Sequence, residues 1–148
     1  MHVRGHQLTE MEIARRSPVW RALSELFLDT ELQPDDHQRI AELIRQAGYN
    51  VSEAEAILRN EVSPVFFPNM LSMAGEWVPW SEDFVRELVL KRMQQRWRGG
   101  ILARAMVRLH QSVAGCSVYG LYVRSGKDWR RVKQLLAQHS SEILTPSG

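Results

Sequence analysis

Residues Gln33–Asn50 read QPDDHQRIAELIRQAGYN, and this stretch sets the fold class. Asp35 followed three residues later by Gln38 resembles a capping box, in which two side chains satisfy the free amides at a helix start. Ile40, Leu43, Ile44 and Ala47 then fall at i, i+3, i+4 and i+7, a single apolar stripe on a helix. Gly48 follows as the stop, because glycine alone enters the left-handed conformation of a helix end without strain.

The same grammar extends in both directions. Toward the N-terminus, Ser17–Asp29 reads SPVWRALSELFLD. Ser17 suits an N-cap and Pro18 the first helical position. Trp20, Leu23, Leu26 and Phe27 recur at helical spacing. Residues 1–16 are polar and sparsely patterned, and are expected to form a loose arm with a short helix at Thr9–Arg15. Toward the C-terminus, Ser52 and Glu55 stand at capping-box spacing, and Ala54, Ile57 and Leu58 give the next apolar face.

The segment Asn60–Asp83, NEVSPVFFPNMLSMAGEWVPWSED, interrupts this rhythm. Pro64 removes a backbone donor and is expected to kink or end the preceding helix after Val62. Pro68, Gly75 and Pro79 break the chain further. The expectation is an ordered, mostly buried connector over Pro64–Pro79, filled by Phe66, Met70 and Leu71, with an exposed edge at Trp77–Trp80. Ser81 then caps a long helix, Glu82–Arg98, with Val85, Leu88, Val89, Met93 and Trp97 inward. Gly99-Gly100 ends it, and Ile101–Leu109 resumes a helical pattern. SVAGCSVYGLYVRSG suits helix or strand and is read as helical or irregular, because no partner strand is evident. The last helix spans Asp128–His139, with Trp129, Val132, Leu135 and Leu136 inward. The predicted fold is all-α: one compact domain of six to eight amphipathic helices over residues 17–139, with a flexible tail at 140–148.

Composition fits this reading. The 148 residues suffice for one core, and 44% apolar and 24% charged residues are ordinary for a globular domain. A single cysteine, Cys116, excludes an internal disulfide and fits a reducing compartment. The first residues lack the apolar run of a signal peptide, and no window of about 18 apolar residues exists to span a membrane. A cytoplasmic protein is expected.

Charge is unevenly placed. Residues 1–62 hold seven Lys/Arg against eleven Asp/Glu, whereas residues 63–148 hold twelve against six. Arg86–Lys133 alone holds twelve basic and two acidic residues. A basic region of this kind raises affinity for nucleic acid or steers an acidic partner, and it also serves as an ordinary solvated helix surface.

Few residues suggest chemistry. His2 and His6 lie in the arm, while His37, His110 and His139 are far apart, with no zinc or calcium pattern; neither metal nor cofactor is expected. Cys116 has no adjacent base and reads as a buried thiol. Glu61 and Glu76 sit in apolar surroundings, where a carboxylate must be paired or hydrogen-bonded. Two such groups suit acid–base work, but the favoured role is structural: accepting backbone amides freed by the prolines, or pairing with arginines. Trp77 and Trp80 flank Pro79 and either close the core or form an aromatic anchor for a partner. Arg104 and Arg108, one turn apart, and Arg130 and Arg131 on the last helix are candidate phosphate contacts. No recognised nucleic-acid-binding motif accompanies them.

The patterns VWxALSxLFLDTEL, AGY, EAILRNEVSPVF and NMLSMAGEW, spread over about Ser17–Leu90, resemble a family of small bacterial proteins of unknown function. Proteins of this kind resemble the small companions encoded beside bacterial antagonism toxins. The resemblance implies a non-enzymatic immunity or adaptor protein that neutralises a toxin by covering its active site. Its partner-binding candidates are Glu61, Glu76, Trp77, Trp80, Arg104, Arg108, Arg130 and Arg131. The alternative is a nucleic-acid-binding regulator using the basic C-terminal half.

Overall fold

The computed structural model describes residues 7–28, 31–66, 80–98 and 126–144. These residues form five α-helices and contain no strand: α1 (Glu10–Ser24), α2 (Pro34–Gln46), α3 (Val51–Ile57), α4 (Glu82–Arg98) and α5 (Lys127–Leu144). The all-α expectation holds. The expected helix over 101–109 and the ambiguous segment around Cys116 lie outside the described residues.

Helix α1 is the hub. It packs against α4, α2 and the segment following α3, while α5 packs on α2 and α3. Arg15, early in α1, meets the end of α2, and Glu25, just after α1, meets Arg39 early in α2, so these two helices run antiparallel. His37 and Asp128 join the first turns of α2 and α5, which therefore run parallel.

The N-terminal expectation needs correction. The short helix expected at Thr9–Arg15 and the helix expected from Pro18 are one continuous element, α1, which runs from Glu10 to Ser24 with no break at Ser17. Thr9 is the N-cap: its hydroxyl accepts from the Glu12 amide at 3.2 Å, and Glu12 accepts from the Thr9 amide at 2.7 Å. Pro18 lies inside this helix, where it offers Ala14 no N–H. Ser17 is buried rather than capping, and its hydroxyl donates back to the Ile13 carbonyl at 2.7 Å. Val19, Trp20, Ala22 and Leu23 beside the proline are fully buried, and this packing outweighs the local cost of about 3 kcal/mol for an interior proline.

Arg15 explains why the start of α1 is anchored. Its guanidinium donates to the Ala47 and Gly48 carbonyls at 2.6 and 2.9 Å and lies over the Tyr49 ring at 4.2 Å. It thus caps the carbonyl end of α2, where positive charge is favoured. Gly48 has φ +76°, the left-handed turn expected of it.

Two other caps are shifted. In α2, Asp36 accepts from the Gln33 amide at 2.9 Å, with Pro34 as the first helical residue. In α3, Asn50 and Glu53 form the reciprocal box, in place of Ser52 and Glu55. Ser81 caps α4 as expected, accepting from the Phe84 amide at 3.2 Å.

Pro64 does not end the helix after Val62. Helical backbone runs on to Phe66, through a wider π turn at Leu58–Val62 in which the Ser63 amide reaches the Leu58 carbonyl five residues back. In a regular α-turn the Pro64 ring would press on the Asn60 carbonyl; the extra residue in the turn makes room. Residues Phe67–Pro79 of the anticipated connector lie outside the described residues. At the other end, α5 continues to Leu144, past the expected stop at His139.

All five helices contribute to one core, including Trp20, Leu23, Ile40, Ile44, Ile57, Val62, Phe66, Val85, Val89, Val132 and Leu136. Phe66 stacks on Phe27 with centroids 6.4 Å apart and leans on Trp80 at 4.8 Å.

Candidate binding site

Two places collect the functional groups. The first is built on the π turn. The turn aims Glu61 at α1, where its carboxylate accepts from the Trp20 indole N–H at 2.6 Å and pairs with Arg16. The Glu61 side chain is only 12% exposed. Burial works against the Arg16 cation, but the charge and hydrogen bond of Glu61 outweigh it, and the guanidinium pKa is raised. Of the two structural roles the sequence suggested for Glu61, accepting freed backbone amides or pairing with arginines, the second is the one seen, at Arg16. Glu61 binds two side chains of another helix.

Trp80, at the start of α4, is half-buried against Phe66, and its carbonyl accepts from Arg21 Nε at 3.4 Å. Its indole N–H is buried without an acceptor among the described residues. Glu61 and Trp80 thus both lie against α1. Glu76, Trp77, Arg104 and Arg108 lie outside the described residues.

The second place is a cleft of about 400 Å³ between the first turns of α2 and α5. Arg130 and Arg131 line it with Lys127, Asp128, Gln134, Leu32, Pro34 and His37. His37 is only 8% exposed, and its Nε2 lies 2.7 Å from Asp128 Oδ1. Arg130 donates to the Gly126 carbonyl at 3.3 Å and Arg131 to Gln134 Oε1 at 3.4 Å, both long contacts to neutral acceptors. By contrast, Arg16, Arg21, Arg39, Arg45 and Arg86 each face a carboxylate.

Sequence reasoning picked out the two arginines of this cleft but not Lys127, nor the contact between His37 and Asp128. Lys127 was visible as part of the basic excess. The other contact spans 91 residues and leaves no local signal.

Elsewhere, ion pairs stitch the helices together. Arg39 makes a fork to Glu25 at 3.0 and 2.6 Å and also reaches Asp36 at 3.0 Å. The bond to Glu25 is the main reason the Arg39 guanidinium pKa is raised. Asp36 is held below its ordinary value, chiefly by the Gln33 amide and then by Arg39. Lys133 of α5 pairs with Glu55 of α3 at 3.5 Å. Among the described residues, no three His, Cys, Asp or Glu side chains converge on a metal position. No described helix is long and apolar enough to cross a membrane.

Comparison with protein families decides the relationship: residues 14–135 match the domain of unknown function DUF7079. The chain belongs to the DUF7079 family. The match takes in most of α1, all of α2 to α4 and half of α5, so both places described above fall within the family domain. No curated protein and no solved structure matches the chain.

Proposed function

We propose that this DUF7079 protein is a non-enzymatic protein-binding protein, and that its cellular role is that of an immunity or adaptor protein for a bacterial toxin. The observation that carries the reading is the placement of Glu61. An acid–base role needs a carboxylate that faces a substrate and is free to exchange a proton. Glu61 instead faces Arg16 and the Trp20 indole from within the fold. Its chemistry is spent on holding the π turn to α1, which favours a rigid body over a reactive centre. The pairs from Glu25 to Arg39, from His37 to Asp128 and from Glu55 to Lys133 brace neighbouring elements in the same way. A braced helical body inhibits by covering its target, and complementarity of surface is all that this requires. The resemblance to companions of antagonism toxins supplies the biological context.

The test is to recover the protein from its native cell with its bound partner, then rebuild the complex from purified components. The expected result is stoichiometric complex formation with parallel loss of the partner's activity. A partner that keeps full activity when saturated with the protein overturns the inhibitory role. Turnover of a substrate by the purified protein alone overturns the non-enzymatic reading.

A further inference from the structure

We propose that the cleft between the first turns of α2 and α5 is a binding site for a small phosphomonoester, independent of any protein partner. The argument starts from charge. Lys127, Arg130 and Arg131 bring three cationic side chains to the lining, and Asp128 brings its one carboxylate. Asp128 is turned onto the nearly buried His37, which fixes it in place. Among the described lining residues, positive charges therefore exceed negative ones by two. A phosphomonoester near neutral pH carries close to two negative charges, with a second pKa of about 6.

The cations are available. Among the described residues, Arg130 and Arg131 hold only long contacts to neutral acceptors, which a charged ligand displaces readily. Lys127 approaches Glu31 at 3.9 Å, but both side chains are 82% exposed, so the pair is weak. Guanidinium groups suit phosphate because their planar forks make two parallel hydrogen bonds to its oxygens.

The parallel course of α2 and α5 adds to the field. Both helices present their N-terminal, positive dipole ends to this end of the bundle. Leu32 and Pro34 supply an apolar wall for the organic part of an ester, and about 400 Å³ exceeds the needs of a bare ion while fitting a small molecule.

The surroundings favour a small ligand over a nucleic-acid backbone. A polyanion needs a continuous track of unneutralised cations. Along α2 and α5 the neighbouring cations are already paired: Arg39 with Glu25 and Asp36, Arg45 with Glu42, and Lys133 with Glu55. The next depression along these helices is rimmed by Asp35, Glu42 and Glu142 as well as by Arg39 and Arg45. Among the described residues of α2 and α5, the cations without a carboxylate partner or with only a weak one are thus gathered at the cleft.

The test is calorimetric titration of the full chain with phenyl phosphate, inorganic phosphate, benzoate and a short single-stranded oligonucleotide at physiological ionic strength. Phenyl phosphate should bind more tightly than inorganic phosphate, and benzoate should not bind measurably. The double variant R130Q/R131Q should weaken phenyl phosphate by roughly tenfold or more, as the loss of charge-assisted bonds implies. Both positions are exposed, so its thermal melt should match that of the parent; K127Q provides a second, milder reduction. Absence of phenyl phosphate binding overturns the proposal, as does binding that R130Q/R131Q and K127Q leave unchanged. Tighter binding of the oligonucleotide with a steep salt dependence assigns the cleft to nucleic acid and overturns it equally.

Discussion

Glu61 shows how much a single side chain settles when its partners come from another element. Its carboxylate closes two needs on α1, the indole N–H of fully buried Trp20 and the cation of Arg16. In Glu61→Ala, both partners lose their acceptor while remaining largely buried. The expected cost is roughly 1–3 kcal/mol, the usual penalty for buried polar groups left unpaired. Urea unfolding of Glu61→Ala, Arg16→Ala and the double variant checks this: the effects should be strongly non-additive, because the two residues share one interaction. Additive effects would show that the contact contributes little. Asp36 offers a separate test by pH. Its folded pKa lies below the ordinary 3.8, because the charged form accepts from the Gln33 amide and Arg39. A depressed carboxylate contributes stability that is fully present above pH 3.8 and is lost as pH falls through the folded value. The parent should therefore be more stable than Asp36→Asn at neutral pH, with the difference shrinking below pH 3.8. A difference that is constant from neutral pH to well below this value argues against a titrating Asp36.

Elements are where local rules and tertiary context compete, and the prolines mark the contest. Ser17-Pro18 is a sound helix-start signal, yet the chain uses Thr9 and Glu12 instead and carries the proline inside α1. The threonine–glutamate spacing was legible in the sequence. What was not legible is Arg15 gripping the last carbonyls of α2 across 32 and 33 residues, which anchors the first turns of α1. Likewise Pro64 reads as a break, but packing of Val62, Val65 and Phe66 into the core keeps the backbone helical through a π turn. Helix existence and inward faces were readable because they are set by periodicity. The partners of Glu61, Trp80 and His37 were not, because those contacts span 41, 59 and 91 residues. If Pro18 is tolerated rather than required, Pro18→Ala should stabilise the protein by about 1–3 kcal/mol, restoring an amide donor to Ala14 and relieving the ring contact. Thermal melts decide this. A lower melting temperature would show that the proline shapes α1 for its neighbours.

At the scale of the molecule, the governing feature is that one apolar cluster runs through all five helices. Val85 and Val89 of α4 reach it from one side and Val132 and Leu136 of α5 from the other, with Trp20, Ile40 and Ile44 between them. Helix α5 also carries the groups that bind it to the rest: Asp128 at His37, and Lys133 at Glu55. No described helix has a separate core on which to survive alone, and isolated helices of this length are marginal in water. Unfolding should therefore be a single cooperative transition. Far-ultraviolet circular dichroism, which follows all helices, and tryptophan fluorescence, which includes Trp20 in α1 and Trp129 in α5, should give coincident urea curves. Leu136→Ala should move both curves together, by about 2–5 kcal/mol, as expected for deleting a buried leucine side chain. Separation of the two curves in the variant would mean that α5 detaches as a unit of its own, and that the cleft it forms with α2 opens before the rest of the bundle melts.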